Sequence, residues 1–283
     1  METEQKKVAL LVHSCDRYEF LYKGFDYFFL NHWDFSIPCN YYFATEIIDA
    51  NIHGFENIKS GKGEWSDRLI KILRDAIKED YILYFHEDMW LTKNVNPKFF
   101  IQLFQQAIEN NWKQVKLNSS EVYKTEKTNI FIEGFNISEI NNTESKFLMS
   151  HQVTLWKKDF LLDQLFKNEN PWRNEKRGSK RLKKINPKIM HADYFSENGK
   201  REINENGQMN GRSEYQTISI NSILNQKVLS FIKELKIGDI EQLRYADELR
   251  VHFDNNLTHD GKVKPRKEDL FKKLTKWIRK KNN

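Results

Sequence analysis

The sequence predicts an α/β fold built on a mixed, mainly parallel sheet flanked by helices. Short runs of β-branched and aromatic residues alternate with segments whose apolar residues recur at helical spacing. The run Tyr81–Phe85 is continuously apolar, which is typical of a strand covered on both faces. At 283 residues with 39% apolar content, the chain is long enough for one large domain of this class.

The first part of the chain predicts three strands joined by helices. Residues 8–12 form a β-rich run, followed by a polar loop and a segment whose phenylalanines have helical spacing. Residues 40–44 predict a second strand. A glycine-marked loop then leads to a helix that we expect Ser66 to cap, and this helix returns the chain to the strand Tyr81–Phe85.

The rest of the body continues the alternation with longer polar insertions. Asn96 is expected to cap a helix, and residues 115–117 predict the next strand. Residues 118–146 are polar and predict loops and short strands. Residues 149–156 predict a further strand followed by a helix, and residues 196–214 predict a loop or lid.

The positive charge of the chain belongs to its last segment. Ten Lys and Arg residues against two acidic residues give +8 from residue 262 onward, so the formal net charge of +6 leaves −2 for the rest. This distribution argues against a nucleic-acid enzyme. Residues 267–281 predict a basic amphipathic helix suited to an anionic membrane surface, or else a terminal helix packed on its own domain or on a second copy.

Compartment signals in the sequence favour the cytoplasm. The apolar stretches fall short of the roughly 20 residues that a membrane span needs, and the opening residues do not resemble a signal peptide. Two cysteines are too few for a disulfide framework. We therefore expect a cytoplasmic protein, held peripherally on the inner membrane where residues 262–281 meet lipid.

Three polar residues follow directly after the apolar strand Tyr81–Phe85. They are His86, Glu87 and Asp88, and a strand end is rigid enough to aim such groups at one point. The pattern predicts a site for a divalent cation and a diphosphate. The alternative is that these residues merely end a strand and begin a loop.

Two earlier segments offer groups that would suit a nucleotide. Ser14, Asp16 and Arg17 follow the first strand, where α/β folds place ligand-contacting loops, so Asp16 would accept from a base or ribose hydroxyl and Arg17 would meet a phosphate. Trp65 would stack on a base or sugar, and Arg68 would pair with a diphosphate or with the acidic strand end. The alternatives are turn chemistry and helix capping for Ser14 and Asp16, core packing for Trp65, and an exposed surface position for Arg68. Glycine-rich dinucleotide and P-loop motifs are absent from the sequence.

A later stretch combines residue types suited to an acceptor. Residues 150–152 precede a helix, Trp172 would support a sugar face, and Glu175 would act as a base for an acceptor hydroxyl. His191 and Asp193 would add a late metal ligand or an acceptor contact. The alternatives are a buried anchor for Trp172, a surface charge for Glu175 and a structural role for His191.

Taken together, these segments resemble bacterial sugar-nucleotide glycosyltransferases of the GT-A fold over roughly residues 7–195. The resemblance is carried by Ser14-Cys15-Asp16, the helix of residues 65–78, the strand ending in His86-Glu87-Asp88, Trp156, and Asn170-Pro171-Trp172. Such enzymes carry Asp-x-Asp at the strand end, and its last Asp binds Mn²⁺ or Mg²⁺ that bridges the nucleotide diphosphate. Here His86 stands first and Asp88 last, so half of the motif is kept.

The resemblance implies a Leloir glycosyltransferase of the hexosyltransferase type. It would move sugar from a nucleotide-sugar donor, with a UDP-sugar expected, to a glycan or lipid-linked glycan in capsule, O-antigen or lipooligosaccharide synthesis. Asp88 would hold the metal, with His86 and His191 as further candidate ligands. Glu175 is the first candidate for the base and Asp193 the second. The expected donor-binding residues are Ser14, Asp16, Arg17, Trp65, Arg68, His86 and Glu87, and the expected acceptor-binding residues are His151, Gln152 and Trp172.

The resemblance also implies a domain plan and leaves two other classes open. Residues 1–260 would form one catalytic domain, with a nucleotide-sugar half in 1–117 and an acceptor half in 118–260, and residues 261–283 would form the basic tail. A sugar-phosphate nucleotidyltransferase usually shows a glycine-rich loop with a lysine near the first strand, which this chain lacks. A non-enzymatic peripheral membrane or interaction protein would instead use the tail as its functional part.

Overall fold

A computed structural model describes residues 6–119, 121–199 and 212–263. The chain divides into two compact units, with the boundary after Ile218. The basic helix expected at residues 267–281 lies outside the described residues. So does most of the polar loop expected at residues 196–214.

The first unit is a large sheet flanked by helices. Its strands are β1 (Val8–His13), β2 (Asn40–Thr45), β3 (Glu56–Lys59), β4 (Tyr81–Phe85), β5 (Met89–Leu91), β6 (Gln114–Asn118), β7 (Thr125–Glu126), β8 (Phe131–Ile132), β9 (Phe135–Asn136), β10 (Ser138–Ile140), β11 (Thr154–Lys157), β12 (Met190–Glu197) and β13 (Ser213–Thr217). Its helices are α1 (Tyr22–His32), α2 (Trp65–Lys71), α3 (Pro97–Glu109), α4 (Lys158–Gln164) and α5 (Pro171–Ile185). A 3₁₀ helix, Asp16–Leu21, precedes α1, and a π-helical turn, Ile72–Ala76, follows α2.

The sheet confirms the predicted mixed α/β class. Its main path runs β3-β2-β1-β4-β11-β6-β12-β10-β7, and the block β3-β2-β1-β4 is parallel. Strand β11 runs antiparallel between β4 and β6, which gives β6 the same direction as β4. The residues just before β11 therefore lie at the same edge of the sheet as the carboxyl ends of β1, β4 and β6.

The register of the strands places one row of side chains across the sheet. Leu11 pairs with Tyr84, Tyr84 with Thr154, Thr154 with Lys116, and Lys116 with His191. Paired residues of neighbouring strands point to the same face of a sheet. Tyr84, Lys116 and His191 are therefore on one face, across strands that are far apart in sequence.

Helices cover both faces of the sheet. Successive side chains along the central strands point to opposite faces, and on both faces they are buried. On one face, Leu11 and Tyr84 belong to a core that includes Leu69 and Leu73 from the α2 segment. On the other, Phe85 meets Trp33 at the end of α1, with ring centroids 5.9 Å apart. This arrangement explains the continuous apolar run of β4.

Three local expectations differ from the structure. Glu64, not Ser66, precedes the first residue of α2, and the Ser66 hydroxyl instead accepts from the backbone N–H of Glu169 at 3.0 Å. The strand expected at residues 149–156 is confined to β11, because residues 149–153 form the loop that carries the polar segment. Helix α5 was not predicted as a helix, since its sequence is dominated by Lys and Arg.

The second unit begins with β14 (Ser219–Ile220) and β15 (Ile223–Leu224), which pair antiparallel, and continues into α6 (Val228–Leu235) and α7 (Ile240–Asp254). Asp239 caps α7 through a capping box with Gln242. Val228, Phe231 and Leu249 are buried within this unit. Among the described residues of the whole chain, each helix is too short or too polar to cross a membrane.

Candidate functional site

Aromatic and imidazole rings converge at the carboxyl edge of β1 and β4. The His13 ring lies 5.7 Å from the Trp65 ring, and the Trp65 ring lies 4.4 Å from that of His151. The Tyr84 ring lies 5.1 Å from His86 and 6.0 Å from His151, as measured between ring centroids. His13 and His86 come from the ends of adjacent parallel strands, and His151 comes from the loop before β11. We call these five residues the ring cluster.

The histidines of the ring cluster are uncharged at neutral pH. Burial, reinforced by the nearby Arg68, holds the pKa of His13 well below 6.5, and burial lowers the pKa of His86 to about 4. The pKa of His151 is also well below 6.5, mainly because of burial. Nε2 of His13 and Nε2 of His151 have no hydrogen-bond partner within the described part of the chain. Both atoms are buried, so each is an unsatisfied polar group inside the ring cluster.

Two carboxyl groups adjoin the ring cluster in the loop after β4. Burial raises the pKa of Glu87 to about 8 and the charge of Asp88 adds to this, while a hydrogen bond from Ser14 and the charge of Arg68 oppose it. Burial also raises the pKa of Asp88 to about 7. Both carboxyl groups therefore hold their protons at a higher pH than exposed carboxyl groups do.

Arg68 is the positive charge built into this edge, and the alternative of an exposed arginine is wrong. Its side chain is buried, and Nη1 donates to the backbone carbonyl of Ser14 at 2.7 Å. Nε lies 3.8 Å from Oε1 of Glu46 at the end of β2. Helix α2 thus delivers a guanidinium group to the loop after β1, next to Glu87.

Glu175 comes to the same site from helix α5. Its Oε1 accepts a hydrogen bond from the backbone N–H of His151 at 2.9 Å, and burial raises the pKa of its carboxyl group. The charges of Glu87 and Glu175 both contribute to the raised pKa of Tyr84. Carboxyl groups from two separate segments therefore act on one buried ring.

Helix α5 is held in place by the buried Glu169, whose backbone N–H donates to the Ser66 hydroxyl of α2 at 3.0 Å. The Glu169 carboxylate accepts from Asn174 at 2.8 Å and pairs with Arg181 at 3.2 Å. Asn170 caps α5 by accepting from the backbone N–H of Arg173. The junction fixes the first turns of α5, from which Glu175 projects.

Lys116 is a site residue that sequence reasoning missed. It is fully buried in β6, and its Nζ donates to Oγ of Ser150 at 2.8 Å. Nζ also lies 5.1 Å from the ring centroid of Tyr123. The available signal was a charged residue between Val115 and Leu117 in a predicted strand, because a charge is rarely buried without a partner. His13 was missed because it was placed in the polar loop after the first strand, and Tyr84 because its position in an apolar run is typical of an ordinary strand residue.

Asp16 and Arg17 occupy the loop after β1 in different ways. The Asp16 carboxylate accepts from the backbone N–H of Glu46 at 2.8 Å and of Ile47 at 3.1 Å. It therefore joins the loops that follow β1 and β2, which is the turn chemistry left open by the sequence. The Arg17 side chain is exposed, with its guanidinium 5.8 Å from the ring centroid of Tyr18.

Two of the expected acceptor-binding residues, Gln152 and Trp172, have different surroundings. Gln152 accepts from the Tyr215 hydroxyl at 2.8 Å, and Asp88 contributes to the raised pKa of Tyr215, so Gln152 lies near the acidic strand end. Trp172 is 65% exposed, which excludes the alternative of a buried anchor.

His191 and Asp193 lie on β12 and have other partners. His191 Nε2 contacts the carbonyl oxygen of Asn118 at 3.0 Å. Asp193 forms an ion pair with Arg212, which also donates to the Asp193 carbonyl. Of the two carboxylates, Glu175 is the one that contacts a residue of the ring cluster, and Asp193 is paired with Arg212.

The donor set at the acidic strand end is incomplete as a protein metal cage. Within the described residues, no three His, Cys, Asp or Glu side chains form a group that could hold an ion. Asp88 and Glu87 supply carboxylate oxygens, which are hard ligands of the kind that Mg²⁺ and Mn²⁺ prefer. Such a set fits a cation that receives its remaining ligands from a diphosphate and water.

Comparisons with known proteins find similarity in solved structures. No family model and no curated protein matches the chain. Staphylococcus aureus TarS is 11% identical over 88% of this chain and 43% of its own, with a TM-score of 0.45, so the chain spans less than half of that protein. Residues 1–349 of TarS in complex with UDP are 10% identical over 88% and 71% of the two chains, with a TM-score of 0.46. A putative nucleotide-diphospho-sugar transferase from Desulfovibrio desulfuricans is 10% identical over 66% and 80%, with a TM-score of 0.37.

Proposed function

We propose that this chain is a sugar-nucleotide-dependent glycosyltransferase. The observation that carries the proposal is the convergence of Glu175 with Glu87 and Asp88 around the ring cluster at the carboxyl edge of the parallel strands. Open α/β sheets bind ligands at this edge. Glu87 and Asp88 would lie beside the leaving diphosphate, and Glu175 would take the proton of the attacking hydroxyl.

The donor would bind with its diphosphate beside Asp88 and Glu87. Breaking the bond between sugar and diphosphate builds negative charge on the leaving oxygen, and positive charge placed there stabilises the transition state. Arg68 supplies a fixed charge next to Glu87. A divalent cation, Mn²⁺ or Mg²⁺, would be held by Asp88 with Glu87 and would act as a Lewis acid on the phosphate oxygens.

Glu175 would take the proton of the acceptor hydroxyl. Its carboxyl group is half-buried, and its raised pKa brings it nearer to working pH, which makes it a better base. The hydrogen bond from the His151 backbone fixes Oε1, so Oε2 is the oxygen that would receive the proton.

The remaining features of the proposal concern the substrates. We propose a hexosyl donor carried on UDP, and a glycan or lipid-linked glycan acceptor of a bacterial surface polysaccharide. The exposed Trp172, on the first turn of α5 close to Glu175, offers a platform for a sugar ring of that acceptor. Residues 262–281 would bring the protein to the anionic inner leaflet, where lipid-linked acceptors reside.

A thermal-shift screen of UDP-, GDP- and CMP-sugars, with and without Mn²⁺, tests this proposal. A ligand that binds the folded state raises the melting temperature by mass action. We expect one nucleotide class to stabilise the protein, and Mn²⁺ to increase the effect because the protein ligands alone are incomplete. A flat response to every nucleotide, with vesicle binding through the tail, would instead support the membrane or interaction class.

A further inference from the structure

The centre of the sheet contains a charge that the proposed reaction does not use directly. Lys116 has no exposed surface, and a buried ammonium group is costly unless it is hydrogen-bonded and has an opposite charge nearby. Its Nζ donates to Ser150 Oγ at 2.8 Å and faces the Tyr123 ring at 5.1 Å. Both partners are neutral, so neither balances the charge.

The carboxyl group that acts on Lys116 is that of Glu175. Burial lowers the pKa of Lys116 to about 7, and the charge of Glu175 opposes this fall. Reciprocally, burial raises the pKa of Glu175, while the N–H of His151 and the charge of Lys116 lower it. Within the described residues, no carboxylate forms a salt bridge with Lys116, so the coupling acts across the polar network.

Two imidazole and two phenol groups that adjoin this pair are neutral near pH 7. His191 lies beside Lys116 in the strand register, and its pKa is lowered, chiefly by burial. Burial holds the pKa of His151 below its usual range. Tyr123 and Tyr84 have raised pKa values, again because of burial. The Lys116 ammonium is therefore the local cation that bears on Glu175.

Local structure connects the two groups through one short loop. Ser150 binds the Lys116 ammonium, and the next residue, His151, donates its backbone N–H to Glu175. The hydroxyl of Tyr123 lies 3.4 Å from the same Ser150 hydroxyl. A change at Lys116 therefore reaches Glu175 both through charge and through the position of residues 150–151.

We propose that Lys116 is a positioning residue whose buried ammonium, anchored on Ser150, keeps the Glu175 carboxyl in its ionised, proton-accepting form. This inference rests on the proposed function, in which Glu175 is the base. The lysine would not touch the substrate, and its effect would be exerted entirely through Glu175.

Lys116→Met tests the inference through the pH dependence of kcat/KM. Removing the ammonium lets burial raise the Glu175 pKa further, so we expect the acidic limb to move up by about one pH unit. On the acidic limb, well below the Glu175 pKa, activity would then fall roughly tenfold. Above pH 8 the two enzymes should converge, because the wild-type lysine has itself lost its proton there. A merely structural role would lower activity at every pH.

Two control variants accompany this measurement. Lys116→Arg retains the charge and should keep the acidic limb near that of the wild type. Lys113→Met removes an exposed lysine that faces the Phe160 ring, and should leave the profile unchanged. An acidic limb that stays in place in Lys116→Met, or moves to lower pH, would overturn the inference.

A milder variant covers the case in which Lys116→Met does not fold. Ser150→Ala removes the anchor of the ammonium, and its acidic limb should move in the same direction. The Glu175 pKa can also be followed by ¹³C NMR of labelled glutamate, with Glu175→Gln assigning the signal, and this needs no turnover. An unmoved Glu175 pKa in the variant that folds would overturn the inference. Loss of the proposed function itself is recognised separately, by full activity in Glu175→Gln or by the absence of nucleotide-sugar binding.

Discussion

At the residue scale, the site combines acidic groups with rings that burial keeps uncharged. Glu87 and Asp88 meet Arg68 and the loop of Ser14 on one side, and Glu175 reaches His151 on the other. Burial has opposite effects on the two kinds of group, because it disfavours the charged form of each. Carboxyl groups become better proton acceptors near pH 7, and imidazoles become neutral hydrogen-bonding groups.

Glu175→Gln is expected to lower kcat by 10²- to 10⁴-fold, the usual range for loss of a general base. The glutamine oxygen can still accept from the His151 N–H, so the melting temperature should stay close to that of the wild type. Steady-state rates and a thermal melt check both expectations. Asp163→Asn, at an exposed position on α4, provides the matched control. Turnover of Glu175→Gln at the wild-type rate would remove Glu175 from the reaction.

At the level of elements, the strand directions explain why distant segments form one site. Because β11 runs antiparallel to β4 and β6, the loop before β11 returns to the carboxyl edge of the parallel strands. Helix α2 supplies Trp65 and Arg68, and α5 supplies Glu175. The backbone of Glu169 exchanges hydrogen bonds with Ser66 of α2, and its carboxylate binds Asn174 and Arg181 of α5, so this residue joins the two helices.

Glu169→Gln is expected to lower the free energy of unfolding by about 1–3 kcal/mol at pH 7, because Arg181 loses its buried counter-charge while remaining partly solvated. Burial alone would raise the pKa of Glu169, but hydrogen bonds from Arg181 and Asn174 outweigh it and lower the pKa below 4.5. The stabilisation is therefore present above about pH 4.5, and it is lost as pH falls through the folded-state pKa.

Urea unfolding of the two proteins from pH 7 to pH 3 measures this dependence. The difference in free energy of unfolding between the wild type and Glu169→Gln should shrink as the solution becomes acidic, because Glu169 then becomes protonated. The buried histidines contribute equally to both proteins and cancel in this difference. A difference that stays constant, or grows, with acidification would show that the carboxylate charge does not stabilise the junction.

At the scale of the whole molecule, the sequence was informative where local pattern and burial agree. Strand β4 was predicted with its observed ends because a fully covered strand is continuously apolar. The acidic strand end was found because polar residues stand out after such a run. Helix α5 escaped because Lys and Arg dominate its sequence, and Leu182 is the one large apolar residue among those it buries.

The ring cluster and Lys116 escaped for a different reason. His13, Tyr84 and Lys116 become neighbours only through the strand register and the reversed direction of β11, which local periodicity does not encode. Glu175 could be proposed from its residue type, but its contact with His151 required the fold. The basic tail remains a prediction, since residues 264–283 lie outside the described part of the chain.

The account depends most directly on Asp88 and the nucleotide site beside it. The decisive measurement is the release of nucleoside diphosphate from the stabilising nucleotide sugar by the wild type, Asp88→Ala and the exposed control Asp163→Ala. We expect turnover to collapse in Asp88→Ala alone, with its melting temperature and vesicle binding retained. Wild-type turnover in a folded Asp88→Ala protein would contradict the assignment of this edge as the sugar-nucleotide site.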